Sequence, residues 1–175
     1  GMECAGYVTR VGKGITHVKP GDRVVAVAAA SLADHVIAPG TLVARLGEHV
    51  GFEAALTVPV SFMTAWYALH EMGRMKAGER LLVHSATGGL GLAALQLAKA
   101  AGVEVIATAG TPVKRALLEA LGVAHVFDSR SLSFDEEIRE VRGGEGVDLV
   151  LNSLAGEALV RSIDLLRPFG RFLEV

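Results

Sequence analysis

Several sequence features that mark particular classes of protein are rare in this chain or absent from it. Its 175 residues contain one cysteine, Cys4, so no disulfide can form within the chain, and this usage fits a reducing compartment. No apolar run approaches the roughly 18 residues that a membrane-spanning helix needs, and no signal-peptide pattern opens the chain. The formal net charge of −2, with both signs interspersed, offers no basic patch for nucleic acid. We therefore expect a cytoplasmic protein with neither a membrane nor a nucleic-acid partner.

Glycine and apolar residues, by contrast, are plentiful. The chain has 21 glycines and is 51% hydrophobic, as is typical of α/β proteins whose parallel strands are buried on both faces. Short β segments separated by glycine turns come first, with strands expected at residues 5–11, 22–30, 34–38 and 43–46. This pattern predicts a partial β-rich segment over residues 1–50.

From residue 51 onward, strands and helices alternate. Strands are expected at residues 81–83, 103–109, 123–127, 147–151 and 171–175, and helices at 63–72, 92–101, 113–121, 134–141 and 157–166. Ser133 and Glu136 have the spacing of a capping box for the helix at 134–141. The alternation predicts an α/β fold with a doubly wound parallel sheet, a Rossmann domain over residues 51–175, whose ligand lies at the carboxyl ends of the strands.

The stretch LLVHSATGGLG at residues 81–91 says most about function. An apolar strand runs into a glycine turn and an apolar helix follows at once, which is the context that a dinucleotide fingerprint requires. Glycines let the backbone approach a pyrophosphate, whose charge meets free N–H groups and the positive end of the helix dipole. Ala86 stands where the usual pattern has its first glycine. The alternative is a turn that only packs a helix on a sheet.

The residues after the second strand of this domain indicate which dinucleotide is bound. NAD-binding domains carry an acidic residue there, roughly 20 residues after the glycines, for the ribose 2′-hydroxyl. This chain has Gly110, Thr111 and Pro112 instead, followed by Lys114 and Arg115. A small polar turn backed by two cations suits a 2′-phosphate, so the sequence predicts NADPH. The alternative is that both cations are ordinary solvated residues of a helix's first turn.

Several blocks in the same order resemble the medium-chain dehydrogenase/reductase superfamily. They are GMECAG at 1–6, GDRV at 21–24, VPVSFMTAWYAL at 58–69, HSATGGLG at 84–91, LNSLAGE at 151–157 and FGRFLE at 169–174. The chain is similar, more narrowly, to the enoyl reductase domains of modular polyketide synthases and animal-type fatty acid synthases. The resemblance implies that the β-rich segment is part of a GroES-like domain. It also implies NADPH-dependent reduction of the α,β double bond of an enoyl thioester carried on an acyl carrier protein.

The resemblance also implies roles for individual residues, all of them in cofactor binding. The full set is Thr64, Ser85, Ala86, Thr87, Gly88, Gly89, Leu90, Gly110, Thr111, Lys114, Ser129, Arg130, Asn152, Ser153 and Leu154. Backbone groups of residues 88–90 would hold the pyrophosphate, and Lys114 with Thr111 and Arg130 the 2′-phosphate. Residues 152–154 would face the nicotinamide ribose and carboxamide. Thr64 and Asn152 have plainer alternatives, as a helix threonine bonded to a carbonyl and as a turn residue.

Two departures from the family pattern carry further expectations. Met2 stands where zinc-dependent members have a histidine ligand, and their cluster of structural cysteines is absent, so we expect no zinc. The family's domain extends beyond this chain at both ends, and its proposed proton donors lie outside it. We therefore expect no catalytic residue here, an inactive isolated fragment, and a sheet that lacks its last strand. The other domains of a parent synthase, or a second copy in a homodimer, would cover that edge.

Rival interpretations remain at this stage. An NADPH quinone oxidoreductase or a crotonyl-type thioester reductase would share the glycine turn and Lys114, although the LNSLAGE block argues against both. A non-catalytic NADPH-binding module is the rival from another class. A polyketide synthase and a fatty acid synthase also remain alternative parents.

Overall fold

An antiparallel sheet of three strands organises the first unit, Gly1–Met63, of the computed structural model, which describes residues 1–175. The strands are β1 (Glu3–Tyr7), β2 (Arg23–Val27) and β3 (Val43–Arg45), with β2 in the centre. The strand expected at residues 34–38 is wrong, because that segment pairs with no neighbour and leaves Ile37 98% exposed. A short helix, α1 (Phe52–Ala55), follows β3.

A five-stranded parallel sheet forms the second unit, Thr64–Val175, and confirms the predicted doubly wound fold. Its strands are β4 (Arg80–Val83), β5 (Glu104–Ala109), β6 (His125–Asp128), β7 (Val147–Asn152) and β8 (Leu166–Glu174), in the order β6-β5-β4-β7-β8. The connecting helices are α3 (Gly89–Ala100), α4 (Pro112–Ala120), α5 (Phe134–Val141) and α6 (Glu157–Asp164). The strand order reverses between β4 and β7, so a crevice is expected at their carboxyl ends.

A cluster of apolar side chains on one face of the sheet holds these strand ends in place. Leu82 of β4, Ile106 of β5 and Val150 of β7 are fully buried, and Phe134 and Ile138 of α5 pack against the same cluster. Each such side chain contributes roughly 1.5–3 kcal/mol of burial free energy. This packing fixes the positions of the loops that follow the strands.

Two local expectations fail at helix starts. The helix expected at 63–72 begins earlier, at Pro59, because the first helical position needs no N–H donor. It comprises α2 (Pro59–Trp66) and continues as a π-helix over Tyr67–Met72. The predicted capping box is also wrong. Ser133 already has helical angles (φ −78°, ψ −7°) and donates its hydroxyl to Glu137 instead of capping a backbone N–H.

The two units meet in sequence between Met63 and Thr64, inside α2, whereas the domain boundary proposed from sequence falls after residue 50. The domain assignment stays a prediction. None of the helices combines the length and the apolar character that crossing a membrane would need.

Candidate functional site

The glycine turn after β4 is held in shape by its own backbone. Ser85 adopts a left-handed conformation (φ +51°), which is uncommon for a residue other than glycine. The Ala86 N–H donates to the carbonyl of Thr108 at 3.0 Å, and the Gly88 N–H donates to that of Ser85 at 2.9 Å. The Gly88 N–H is therefore already used within the turn.

The N-terminus of α3 presents unpaired donors directly after this turn. The first bond of the helix runs from the Leu92 N–H to the Gly88 carbonyl at 2.8 Å. The N–H groups of Gly89, Leu90 and Gly91 precede it and have no intrahelical acceptor. Together with the positive end of the helix dipole they form a site suited to an anion.

Gly91 brings the helix against the turn more closely than any side chain would allow. A Cβ atom on Gly91 would lie 2.5 Å from Cα of Ala86 and 2.6 Å from its carbonyl oxygen. This is the role of the third glycine of a dinucleotide fingerprint, which permits close helix–strand packing. The predicted site residues omit Gly91, although its place in the pattern was sufficient to find it.

A cavity of about 160 Å³ lies over the turn, at the crevice between β4 and β7. Five of the predicted residues line it: Ser85, Gly88, Gly89 and Leu90 from the glycine turn, and Ser153 from the β7 side. Its other lining residues, absent from the prediction, are His84, Gly91, Leu151 and Val175. Ser153 donates its hydroxyl to that of Ser85 at 3.1 Å across this crevice.

His84 forms the floor of the cavity as a buried, neutral imidazole. Its Nδ1 lies 2.9 Å from the Thr108 hydroxyl and its Nε2 lies 2.8 Å from the Ser162 hydroxyl. The Ser162 hydroxyl donates to the Ala158 carbonyl at 2.6 Å, so it accepts from Nε2–H, and Nδ1 accepts from Thr108. Burial lowers the pKa of His84 to about 4, which keeps the ring uncharged beside the site.

Asn152 shapes the loop after β7 with every part of its amide. Its Nδ2 donates to the Leu154 carbonyl at 2.7 Å and to Glu174 Oε2 at 2.8 Å, and its Oδ1 accepts from the Leu154 N–H at 3.2 Å. The side chain is fully buried. Asn152 therefore fixes the path of Ser153 and Leu154, which is the turn role that the sequence left open.

The carboxyl ends of β5 and β6 bring a second group of predicted residues together. Thr111 caps α4, since its hydroxyl accepts from the Lys114 N–H at 3.3 Å. A Cβ atom on Gly110 would lie 3.0 Å from Nε of Arg130 and 3.4 Å from the Ser129 hydroxyl. Lys114 and Arg130 are exposed, and neither takes part in an ion pair. Two free cations thus flank a turn that has no carboxylate of its own.

Arg115, the second cation behind this turn in the sequence, is engaged elsewhere. Its Nη1 lies 2.9 Å from Oδ2 of Asp128 and donates to the Ala109 carbonyl at 3.1 Å. The other carboxylate oxygen of Asp128 accepts from the Arg130 N–H at 2.9 Å. Neither member of this pair is among the predicted site residues, because residues 13 apart give no local signal of pairing.

The remaining predicted residues lie outside the cavity lining. Thr64 is exposed on α2, Ala86 is fully buried beneath the turn, and Thr87 and Leu154 are half-buried. No three histidine, cysteine, aspartate or glutamate side chains come together as metal ligands would. The absence of zinc stays a prediction.

Comparison with known proteins places the chain in a family. The zinc-binding dehydrogenase family matches residues 89–175. A phenolphthiocerol/phthiocerol polyketide synthase of Mycobacterium tuberculosis is 46% identical over 175 residues, which are 100% of this chain and 8% of that synthase. The solved structure of the CurK enoyl reductase is 39% identical, with a TM-score of 0.89 over 99% of this chain and 52% of that one.

A third relative has been solved with a cofactor. Mycobacterial Rv1454c in complex with NADPH is 33% identical, with a TM-score of 0.89 over 98% of this chain and 55% of that one. The chain thus spans about half of each of these two solved proteins and a small part of the synthase. The resemblance inferred from the sequence blocks is confirmed. The chain belongs to the medium-chain dehydrogenase/reductase superfamily, among the enoyl reductase domains of polyketide synthases.

Proposed function

We propose that this chain is the NADPH-binding part of an enoyl reductase that reduces the α,β double bond of an enoyl thioester. One observation carries the proposal: unpaired N–H groups at the start of α3, and two free cations that follow β5 and β6, lie along the same edge of the parallel sheet. A pyrophosphate and a 2′-phosphate are the two anionic groups of NADPH, and this edge is where doubly wound folds bind dinucleotides.

The residues of the chain fit the cofactor at both ends. The N–H groups of Gly89 and Leu90 would hold the pyrophosphate, close to a backbone that Gly88 and Gly91 leave uncovered. Lys114 and Arg130 would hold the 2′-phosphate, with Thr111 and Ser129 as neutral donors beside it. Ser153 would reach the nicotinamide ribose from the loop that Asn152 fixes. Bound NADPH would supply the hydride, and the protein's own task is to orient it and exclude water.

The relatives support a proposal for the substrate and for the setting in which the chain works. They include polyketide synthases, so we propose that the thioester is carried on an acyl carrier protein and that other synthase domains flank this chain in the cytoplasm. A synthase module that contains the chain should then reduce a crotonyl thioester and oxidise one NADPH for each thioester reduced. Reduction of a quinone in its place would favour a quinone oxidoreductase, and binding without turnover would favour a cofactor-binding module.

The cofactor assignment is tested by calorimetric titration of the chain with NADPH and with NADH. We expect Lys114→Met to weaken NADPH binding by about tenfold to a hundredfold, since a hydrogen bond to a charged group contributes about 1.5–3 kcal/mol. NADH, which lacks the 2′-phosphate, should bind as before. Lys99→Met removes an exposed cation from the far end of α3 and should change neither affinity. An unchanged NADPH affinity in Lys114→Met would refute the assignment.

A further inference from the structure

An ion pair sits beside the proposed 2′-phosphate site without belonging to it. Asp128 ends β6, next to Ala109 at the end of β5, and its carboxylate is 39% exposed. Arg115 binds one carboxylate oxygen at 2.9 Å, and the Arg130 N–H donates to the other at 2.9 Å. Asp128 is therefore paired across the sheet with Ala109, the residue before Gly110, and it stands two residues before Arg130 in the chain.

A carboxylate at this position would repel the 2′-phosphate that Lys114 and Arg130 are proposed to bind. A phosphate monoester carries about −1.5 to −2 charges at pH 7, and a bare carboxylate nearby would repel it. In related folds an acidic residue at the end of the second strand, which is the neighbouring strand β5 here, favours NAD. Something in the chain must neutralise Asp128 if NADPH is to be preferred, and Arg115 is the cation in contact with it.

We propose that Arg115 is a specificity-determining positioning residue, which neutralises Asp128 so that Lys114 and Arg130 can accept a 2′-phosphate. The inference rests on the NADPH binding proposed above. Arg115 acts through Asp128 and the Ala109 carbonyl, because both contacts turn its guanidinium toward the strand ends. Asp128 in turn holds the backbone of Arg130, so the pair orients one phosphate-binding cation while its own charges cancel.

Three variants separate this role from its alternatives: Arg115→Met, Asp128→Asn and the double variant, each titrated with NADPH and NADH. Arg115→Met exposes the carboxylate, and we expect NADPH binding to weaken about tenfold while NADH binding stays within about twofold. The double variant removes both charges and should recover NADPH binding to within about threefold of the unmodified chain. Asp128→Asn alone should retain the preference for NADPH.

Each contrary outcome overturns a distinct statement. If the double variant stays as weak as Arg115→Met, Arg115 contacts the phosphate itself. If Arg115→Met weakens both cofactors equally, it only supports the fold. Should Arg115→Met not fold, Asp128→Asn decides alone, since loss of NADPH preference there contradicts a repulsive carboxylate. An unmodified chain that binds both cofactors equally would instead refute the proposed function, before any variant is compared.

Discussion

At the scale of single residues, His84 shows how burial sets the chemistry of a group beside the site. The imidazole lies between the hydroxyls of Thr108 and Ser162, and its ring meets that of Phe134 edge to face at a centroid distance of 5.2 Å. With a neutral ring both nitrogens have partners, since Nε2–H donates to Ser162, which uses its own proton for the Ala158 carbonyl, and Nδ1 accepts from Thr108. A charged ring at this buried position would lose the solvation that water gives an imidazolium.

His84 should therefore make stability depend on pH. Burial lowers its pKa from 6.5 to about 4, so between these values the unfolded chain binds a proton that the folded chain excludes. The contribution of His84 to the free energy of unfolding is complete above pH 6.5. It falls as the pH drops, and the loss reaches about 3 kcal/mol at pH 4. Urea unfolding between pH 8 and pH 4 measures this slope.

His84→Gln is the variant that isolates the effect, since glutamine can hydrogen-bond but does not titrate in this range. We expect it to lower stability at pH 8 and to remove the His84 share of the pH dependence. His35→Gln, at an exposed position, should leave the slope as it is. The same slope in His84→Gln and the unmodified chain would show that another group is responsible.

At the scale of elements, the joint between the glycine turn and α3 decides whether the site exists. The turn and the helix touch at Gly91 and Ala86 with no space for a Cβ atom. An added methyl group on Gly91 would contact backbone atoms of Ala86, which cannot move aside as a flexible side chain could. The helix N-terminus, and with it the unpaired N–H groups, would have to move.

Gly91→Ala should accordingly weaken both stability and cofactor binding. We expect a loss of about 1–3 kcal/mol in the free energy of unfolding, as for other overpacked sites, and equal weakening of NADPH and NADH, because both share the pyrophosphate. Chemical unfolding and calorimetry measure the two effects. Gly12→Ala is the matched control, since a Cβ atom there would contact nothing within 4 Å. Normal affinity in Gly91→Ala would show that the pyrophosphate does not bind at this helix end.

At the scale of the whole molecule, the family's description and the chain's own residues differ over zinc. The zinc-binding dehydrogenase family matches residues 89–175. Yet Met2 replaces a ligand histidine of the zinc-dependent members, and no three suitable donors come together. Thioethers are poor zinc ligands beside imidazole or thiolate.

We expect treatment with a chelator to leave the melting temperature and the NADPH affinity of the chain unchanged. Elemental analysis should find well below one zinc per chain after purification without added metal. One bound zinc per chain, with a lower melting temperature after chelation, would contradict this expectation. Addition of zinc to the unmodified chain is the control for nonspecific binding.

Local sequence alone determined the order of strands and helices in the second unit and the place of the glycine turn. Apolar periodicity and glycine spacing are properties of neighbouring residues, so they can be interpreted without knowing the fold. Thr111 and Pro112 at the start of α4 are of this kind, since a cap and a first-turn proline act within one helical turn. The same local logic failed at Ser133, whose hydroxyl bonds the Glu137 side chain four residues on instead of a backbone N–H.

Only the tertiary structure decided which side chains meet at the strand ends. His84 and Ser162 are 78 residues apart, Asn152 and Glu174 are 22 apart, and the Arg115–Asp128 pair spans two elements. The sequence indicated cations near the proposed 2′-phosphate site but could not tell that Arg115 is engaged and Lys114 free. Such pairings depend on strand order and register, which arise from the burial of the whole sheet and leave no local pattern in the chain.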